Sequence, residues 1–350
     1  MDPRRILVVR PDRVGDVIIS SACLPALRAR FPQAEIVYAA GAALQPLFDG
    51  GQGHPLGIRF YPLPAPTLPF RTRFGALVSS LKEPRFDVAV SLHPDPAFYL
   101  AAWRVGIPRR IGYPLRFLSW TLTDPIANRR PECHYHEAFY SFDPLAPLGV
   151  FPSGPLRASI HLPPAAGAAL RAKLGELPGQ NSSRYVCLHL GAWSPVARWP
   201  VASFLALAEA LRERHGVEIV LVGHDPADAS HIEFRARAKT DGLPFLDTAG
   251  KLSLAELGWL LRGAACLVTR DTGPSHLAAA VECPVVVLFG RHTPPYGPKR
   301  WAPLGDEGRV RVILSPAVKR PKEPRQEWFR RAFAEIPVDP VAAAASEFLT

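Results

Sequence analysis

Short apolar runs of strand length alternate along the chain with stretches whose apolar residues recur at helical spacing. That alternation predicts strands separated by helices, and hence parallel α/β sheets. Ile6-Leu7-Val8-Val9 reads as a first strand, followed by a polar turn through Gly15 and a helix over about 17–31. Strands are predicted at 35–40 and 86–92, and the Pro- and Gly-rich residues 50–75 between them read as irregular, mobile loop. The second half repeats the pattern: strands at 185–191, 217–222, 266–269 and 284–289, and helices at 201–215, 252–264 and 275–281. The helix at 252 opens with a capping box, Ser253-x-x-Glu256.

Residues 150–183, with several prolines, a helix at 165–174 and the polar run Pro178-Gly179-Gln180-Asn181-Ser182-Ser183, read as the linker between two open α/β lobes. The lobes are set at 1–165 and 180–330, with a C-terminal helix over 331–350. The length of 350 residues suits two domains. In such sheets ligands bind outside the carboxyl ends of the strands.

Composition narrows the classes. With 48% apolar and 21% charged residues the chain is neither disordered nor fibrous. The apolar run at 6–9 ends at Arg10, too short for a secretory segment, and no run reaches membrane-spanning length. A cytoplasmic location is expected, including the cytoplasmic face of a membrane. The cysteines at 23, 133, 187, 266 and 283 form no C-x-x-C pair, so buried thiols are expected, not a zinc site or a disulfide framework. Lys plus Arg exceeds Asp plus Glu by 41 to 31, and 34 of the cations are Arg. That surplus reflects either an anionic partner or composition bias.

Three strand-to-helix turns carry the candidate chemistry. In Arg10-Pro11-Asp12-Arg13-Val14-Gly15-Asp16, Gly15 permits the turn and Asp16 starts a helix, either as a simple N-cap or as a group aimed at a ligand. In Thr269-Arg270-Asp271-Thr272-Gly273-Pro274-Ser275-His276, a helix N-terminus at Thr272 and Gly273 favours an anion. Asp271 there suits sugar hydroxyls, and His276 can donate one more bond. In His189-Leu190-Gly191-Ala192-Trp193-Ser194-Pro195-Val196-Ala197-Arg198-Trp199-Pro200, Gly191 lets a ligand approach the backbone. Arg198 either neutralises a phosphate or is solvated, and Trp199 is expected to pack. No G-x-G-x-x-G pattern is present, which argues against a nicotinamide enzyme.

Together, ILVVRPDRVGDVIISSACLPALRARFP, HLGAWSPVARWP and VTRDTGPSHLAAAVECPVVVLFG resemble the ADP-heptose:lipopolysaccharide heptosyltransferases of glycosyltransferase family 9. The resemblance implies the GT-B architecture, two Rossmann-like lobes whose parallel sheets face a central cleft, with acceptor on the first lobe, nucleotide sugar on the second and the C-terminal helix over 331–350 packing back on the first. It makes Asp16 the general base of an inverting transfer, with Asp12, Arg13 and Gly15 contacting phosphate or acceptor. It places the donor on Gly191, Ala192, Arg198, Asp228, Asp271, Thr272, Gly273 and His276. The family's usual phosphate-holding Lys is Ala197 here, and the acidic residue expected after Gly223 is Asp225 or Asp228.

The implied donor is ADP-heptose, a substrate, with no cofactor and no metal; a D-x-D triplet is absent. The implied acceptor is an anionic glycolipid, for which the segments 104–116 and 70–74 offer Arg mixed with aromatic residues. Two other enzyme readings stay open: a family 9 transferase with a different nucleotide sugar or acceptor, and a sugar-nucleotide epimerase of GT-B type. No nucleic-acid module is recognisable.

Overall fold

The computed structural model describes residues 2–48, 54–83, 85–175, 184–191, 196–291, 294–320 and 322–349. It divides into two compact units, Met1–Pro163 and Pro164–Thr350.

The strands of the first unit are β1 (Arg5–Val9), β2 (Glu35–Gly41), β3 (Ile58–Leu63), β4 (Val88–Ser91), β5 (Arg109–Gly112) and β6 (Asp124–Pro125). They form one parallel sheet in the order β3-β2-β1-β4-β5-β6. Ile6 to Val9 are all fully buried, as a central parallel strand covered on both faces requires. The helices are α1 (Val14–Ser20), α2 (Leu24–Arg30), α3 (Gln45–Phe48), α4 (Phe70–Leu81), α5 (Pro96–Arg104) and α6 (Glu137–Tyr140).

Two expectations for this unit need correction. The single helix over 17–31 is two helices with a 3-10 turn, Ser21–Cys23, between them. Pro25, at the start of α2, has no N–H to continue the ladder, and its ring would collide with the carbonyl four residues back. The loop expected at 50–75 contains β3 and the start of α4; residues 49–53 lie outside the described residues. β3 is an edge strand, where Pro62 is tolerated, and so its proline disguised it. In α4 the buried positions Arg73, Leu77 and Leu81 recur every fourth residue.

The second unit contains β7 (Tyr185–His189), β8 (Glu218–Val222), β9 (Leu246–Asp247), β10 (Cys266–Arg270), β11 (Val285–Phe289) and β12 (Val310–Leu314), parallel in the order β12-β11-β10-β7-β8-β9. Its helices are α7 (Pro164–Leu174), α8 (Val201–His215), α9 (Ala229–Thr240), α10 (Leu254–Gly263), α11 (Gly273–Ala280), α12 (Pro298–Trp301), α13 (Arg325–Ala334) and α14 (Val338–Ser346). The box at Ser253 and Glu256 forms in both directions.

The helix expected in the linker, α7, belongs to this second unit. Gly167 lies so close to the Trp259 ring that a Cβ there would be 3.1 Å from it, and Lys173 pairs with Glu256 at 2.7 Å. The C-terminal helix, expected to pack on the first lobe, also belongs to the second unit. Val341, Ala345 and Leu349 join the core that holds Trp199, Phe204 and Phe333, and the Trp199 indole donates to the Ile336 carbonyl at 3.0 Å. Burying Trp199, as expected, therefore fixes the route of the chain end. All five cysteines are buried.

Candidate functional site

Counted within its own unit, each sheet has the strand order 3-2-1-4-5-6. The order reverses between β1 and β4 in the first and between β7 and β10 in the second. Such reversal points open a crevice at the carboxyl ends of the strands. The three candidate turns follow β1, β7 and β10.

In the first unit Arg10 directly follows β1 and has only 1% of its surface exposed. Its guanidinium gathers three carboxylates: Nε lies 2.8 Å from Asp12, Nη2 3.2 Å from Asp16, and Nη2 3.3 Å from the buried Glu137. Burial alone would lower the Arg10 pKa, but Asp12, Glu137 and Asp16 outweigh it and push it up. Arg130 donates to Glu137 at 2.7 Å, and Arg10 and Arg130 both donate to the Leu92 carbonyl beyond β4. The Tyr113 ring lies 4.6 Å from the Arg130 guanidinium. Asp16 is in the first turn of α1, where negative charge meets the positive end of the helix dipole. It is not the N-cap, a position that Arg13 occupies. Gly15 is buried inside the same helical turn, so residues 10–13 make the turn.

In the second unit the turn after β10 is braced by hydroxyls. The Thr272 hydroxyl lies 3.2 Å from that of Thr269 and 3.4 Å from His189 Nδ1, and Ser275 donates to the Thr272 carbonyl at 2.7 Å. His189, at the end of β7, also approaches Thr269 at 3.0 Å, so the two strands at the reversal point are tied together. Burial, then His231 and Arg270, bring the His189 pKa down to about 3, with Asp228 opposing. Asp271 is partly exposed and lies 3.5 Å from Nε2 of the buried His276, whose Nδ1 has no partner among the described residues. Gly273 is the first residue of α11, whose N-terminus faces this turn.

Arg198 and Asp228, both expected at the donor, are bound to each other. Arg198 makes two 2.6 Å bonds to the Asp228 carboxylate and a third to Ser230. Asp228 also caps α9 by accepting from the Ser230 amide. Burial would raise the Asp228 pKa, but the Arg198 bonds and the Ser230 amide lower it. Gly191 has a packing reason of its own, since a Cβ there would meet His189 Nε2 at 2.8 Å. Ala192 lies outside the described residues.

The structure thus groups Asp12 and Asp16 around an arginine that sequence reasoning left without a role, and groups Asp271, Thr272, Gly273 and His276 on one turn. Glu137 and Arg130 were missed because they reach the first cluster from more than a hundred residues away. Arg270 was read only as part of a motif. Of the basic segments expected to meet an anion, 70–74 contributes less than its composition suggested, because Arg73 is buried against Asp95. Among the described residues no group of three or more His, Cys, Asp or Glu has metal-binding proximity.

Two parallel α/β units of this topology, with polar turns at their reversal points, define the fold class of GT-B glycosyltransferases. The sequence profile of glycosyltransferase family 9 (heptosyltransferase) matches residues 75–329, and the chain belongs to that family. Lipopolysaccharide heptosyltransferase 2 of Escherichia coli K12 is 26% identical over 353 aligned positions, covering 95% of this chain and 94% of the relative. The crystal structure of a family 9 glycosyltransferase from Veillonella parvula superposes with a TM-score of 0.80 at 20% identity, covering 99% of this chain and 97% of that one. E. coli ADP-heptose lps heptosyltransferase II gives 0.78 at 23% identity, covering 99% and 98%.

Proposed function

We propose that this glycosyltransferase moves a heptose from ADP-heptose to a lipopolysaccharide inner-core or related glycolipid acceptor, with inversion and with Asp16 as general base. The observation that carries the reading is the Asp16 carboxylate held by buried Arg10 at the carboxyl end of β1. The full-length likeness to proteins named for heptose transfer supports the donor and acceptor classes.

In this reading the acceptor hydroxyl oxygen attacks the anomeric carbon, the bond from that carbon to the diphosphate breaks, and the hydroxyl proton passes to Asp16. An aspartate is ordinarily ionised at neutral pH and can accept the proton as the attacking oxygen becomes acidic. ADP leaves with added negative charge, which the N-terminus of α11 and nearby arginine charge stabilise without a metal ion. In the same reading Asp271 and His276, 3.5 Å apart, bond sugar hydroxyls. Asp16→Ala is expected to abolish transfer with ADP binding retained; near-normal turnover would overturn the role.

A second reading, a different nucleotide sugar, is favoured by the Arg198–Asp228 pair, which occupies two side chains expected at the donor. A thermal-shift comparison of ADP-heptose with other ADP-, UDP- and GDP-sugars separates the two.

Among the described residues no helix is long and apolar enough to cross a membrane. The first unit nevertheless exposes Phe70, Trp103, Phe117 and Trp120, with Arg104 and Arg116 exposed beside them in the chain. We propose that these residues dock on an anionic membrane surface. Salt-sensitive sedimentation with anionic vesicles is expected, and its absence at low salt would overturn the docking.

A further inference from the structure

Arg270 ends β10 with 6% of its surface exposed, yet its guanidinium makes no hydrogen bond or ion pair with any described residue. Its Nε and Nη1 are buried and unpartnered. Burial, together with Arg291 and Arg198, brings its pKa down to about 10 against the pull of Asp271, so the group is still charged at neutral pH. A buried charge with no bonding partner is strongly unfavourable, and a native chain keeps one where a ligand completes it.

The surroundings specify the sign and shape of that ligand. One face of the Arg270 guanidinium lies over the Phe333 ring at 5.0 Å, a contact that leaves its in-plane N–H edge for oxygen acceptors. Arg291, from the segment after β11, lies over Phe329 at 3.9 Å, one turn earlier on α13. The N-terminus of α11 follows three residues beyond Arg270. Among the described residues Asp271 is the one carboxylate whose charge acts on Arg270. Meanwhile position 197 is a buried alanine, and Arg198 is occupied by Asp228 and Ser230.

We propose that Arg270 binds the diphosphate of the nucleotide sugar through its unpartnered edge, with Arg291 adding charge, and so supplies the positive charge that the methyl group of Ala197 cannot. The inference rests on reading the second unit as the donor-binding one. It explains how a chain with Ala197 neutralises two phosphates. It also makes Arg270, one residue before the Asp271 turn, a determinant of donor affinity.

The test is calorimetric titration of the full chain with pyrophosphate, ADP and adenosine, for the wild type, R270M and R270K. R270M is expected to bind ADP about ten- to hundredfold more weakly, the range for lost hydrogen bonds to a charged group. Adenosine affinity should not change, and the ligand-free melting temperature should be no lower than wild type, since an uncompensated buried charge has been removed. R270K, which keeps the charge and loses the fork, is expected to recover part of the ADP affinity. ADP binding by R270M equal to wild type would overturn the proposal, and a lower ligand-free melting temperature in R270M would assign Arg270 to the fold instead. Pyrophosphate binding that R270M loses, in a wild type that binds ADP no better than pyrophosphate, would keep the anion site and overturn the donor reading.

Discussion

Arg10 Nη2 stands 3.2 Å from Asp16 Oδ1, so one of the most deeply buried cations in the first unit sets the direction of the carboxylate proposed as base. The same guanidinium holds Asp12 and Glu137, which makes Asp16 one arm of a fixed cluster and not a freely rotating side chain.

Replacing Arg10 with Met should therefore act twice. Removing one partner from a buried charge cluster costs about 3–5 kcal/mol, measurable by urea denaturation. Arg10→Lys, with a single ammonium in place of the fork, should fold better and still lose most of its turnover at unchanged ADP affinity. Wild-type turnover in Arg10→Lys would show that Asp16 needs no such support.

Arg198 and Asp228 form a structural pair, and changing either should be felt as stability. Arg198→Met is expected to lose about 1–3 kcal/mol through the broken ion pair and to leave ADP affinity nearly unchanged. A large fall in ADP affinity would return Arg198 to the donor site. The contrast with R270M, where binding falls and stability holds, separates the two arginines.

The buried His189 predicts a sign for the pH dependence. Its folded-state pKa of about 3 lies below the ordinary 6.5, so on acidification the unfolded chain takes up a proton first. Stability from this group is complete above about pH 6.5 and is lost as the pH falls towards 3. Between pH 7 and pH 5 the contribution amounts to about 2 kcal/mol. Comparing unfolding midpoints of wild type and His189→Gln at both pH values isolates it: the wild type should lose more.

Gly191→Ala tests whether that glycine is kept for packing. Its new Cβ would meet His189 Nε2 at 2.8 Å, and such overpacking costs about 1–3 kcal/mol. Adding His189→Ala should relieve the clash. If the double variant is no less strained, the glycine is kept for another reason.

The central strands were legible because β1, β7 and β11 are apolar at nearly every position and β10 opens with an apolar run, the pattern expected of strands covered on both faces. The Asp271–His276 turn was legible because glycine, proline and a capping residue punctuate it. β3 was not, since Pro62 at an edge carries the composition of a loop. Arg10 and Arg270 were not, because an arginine in sequence reads as solvated until its burial is known. Nor was the destination of α14, whose Val341 and Ala345 join a core that holds Trp199, more than a hundred residues earlier in the chain.

The five buried cysteines divide between the units, Cys23 and Cys133 in the first and Cys187, Cys266 and Cys283 in the second, and every one is shielded. Each unit consequently carries its own built-in clock. A thiol reagent can modify these side chains only when the surrounding structure opens, so the order in which they are alkylated reports which unit loosens first. A nucleotide that stabilises the second unit alone would slow three of the five.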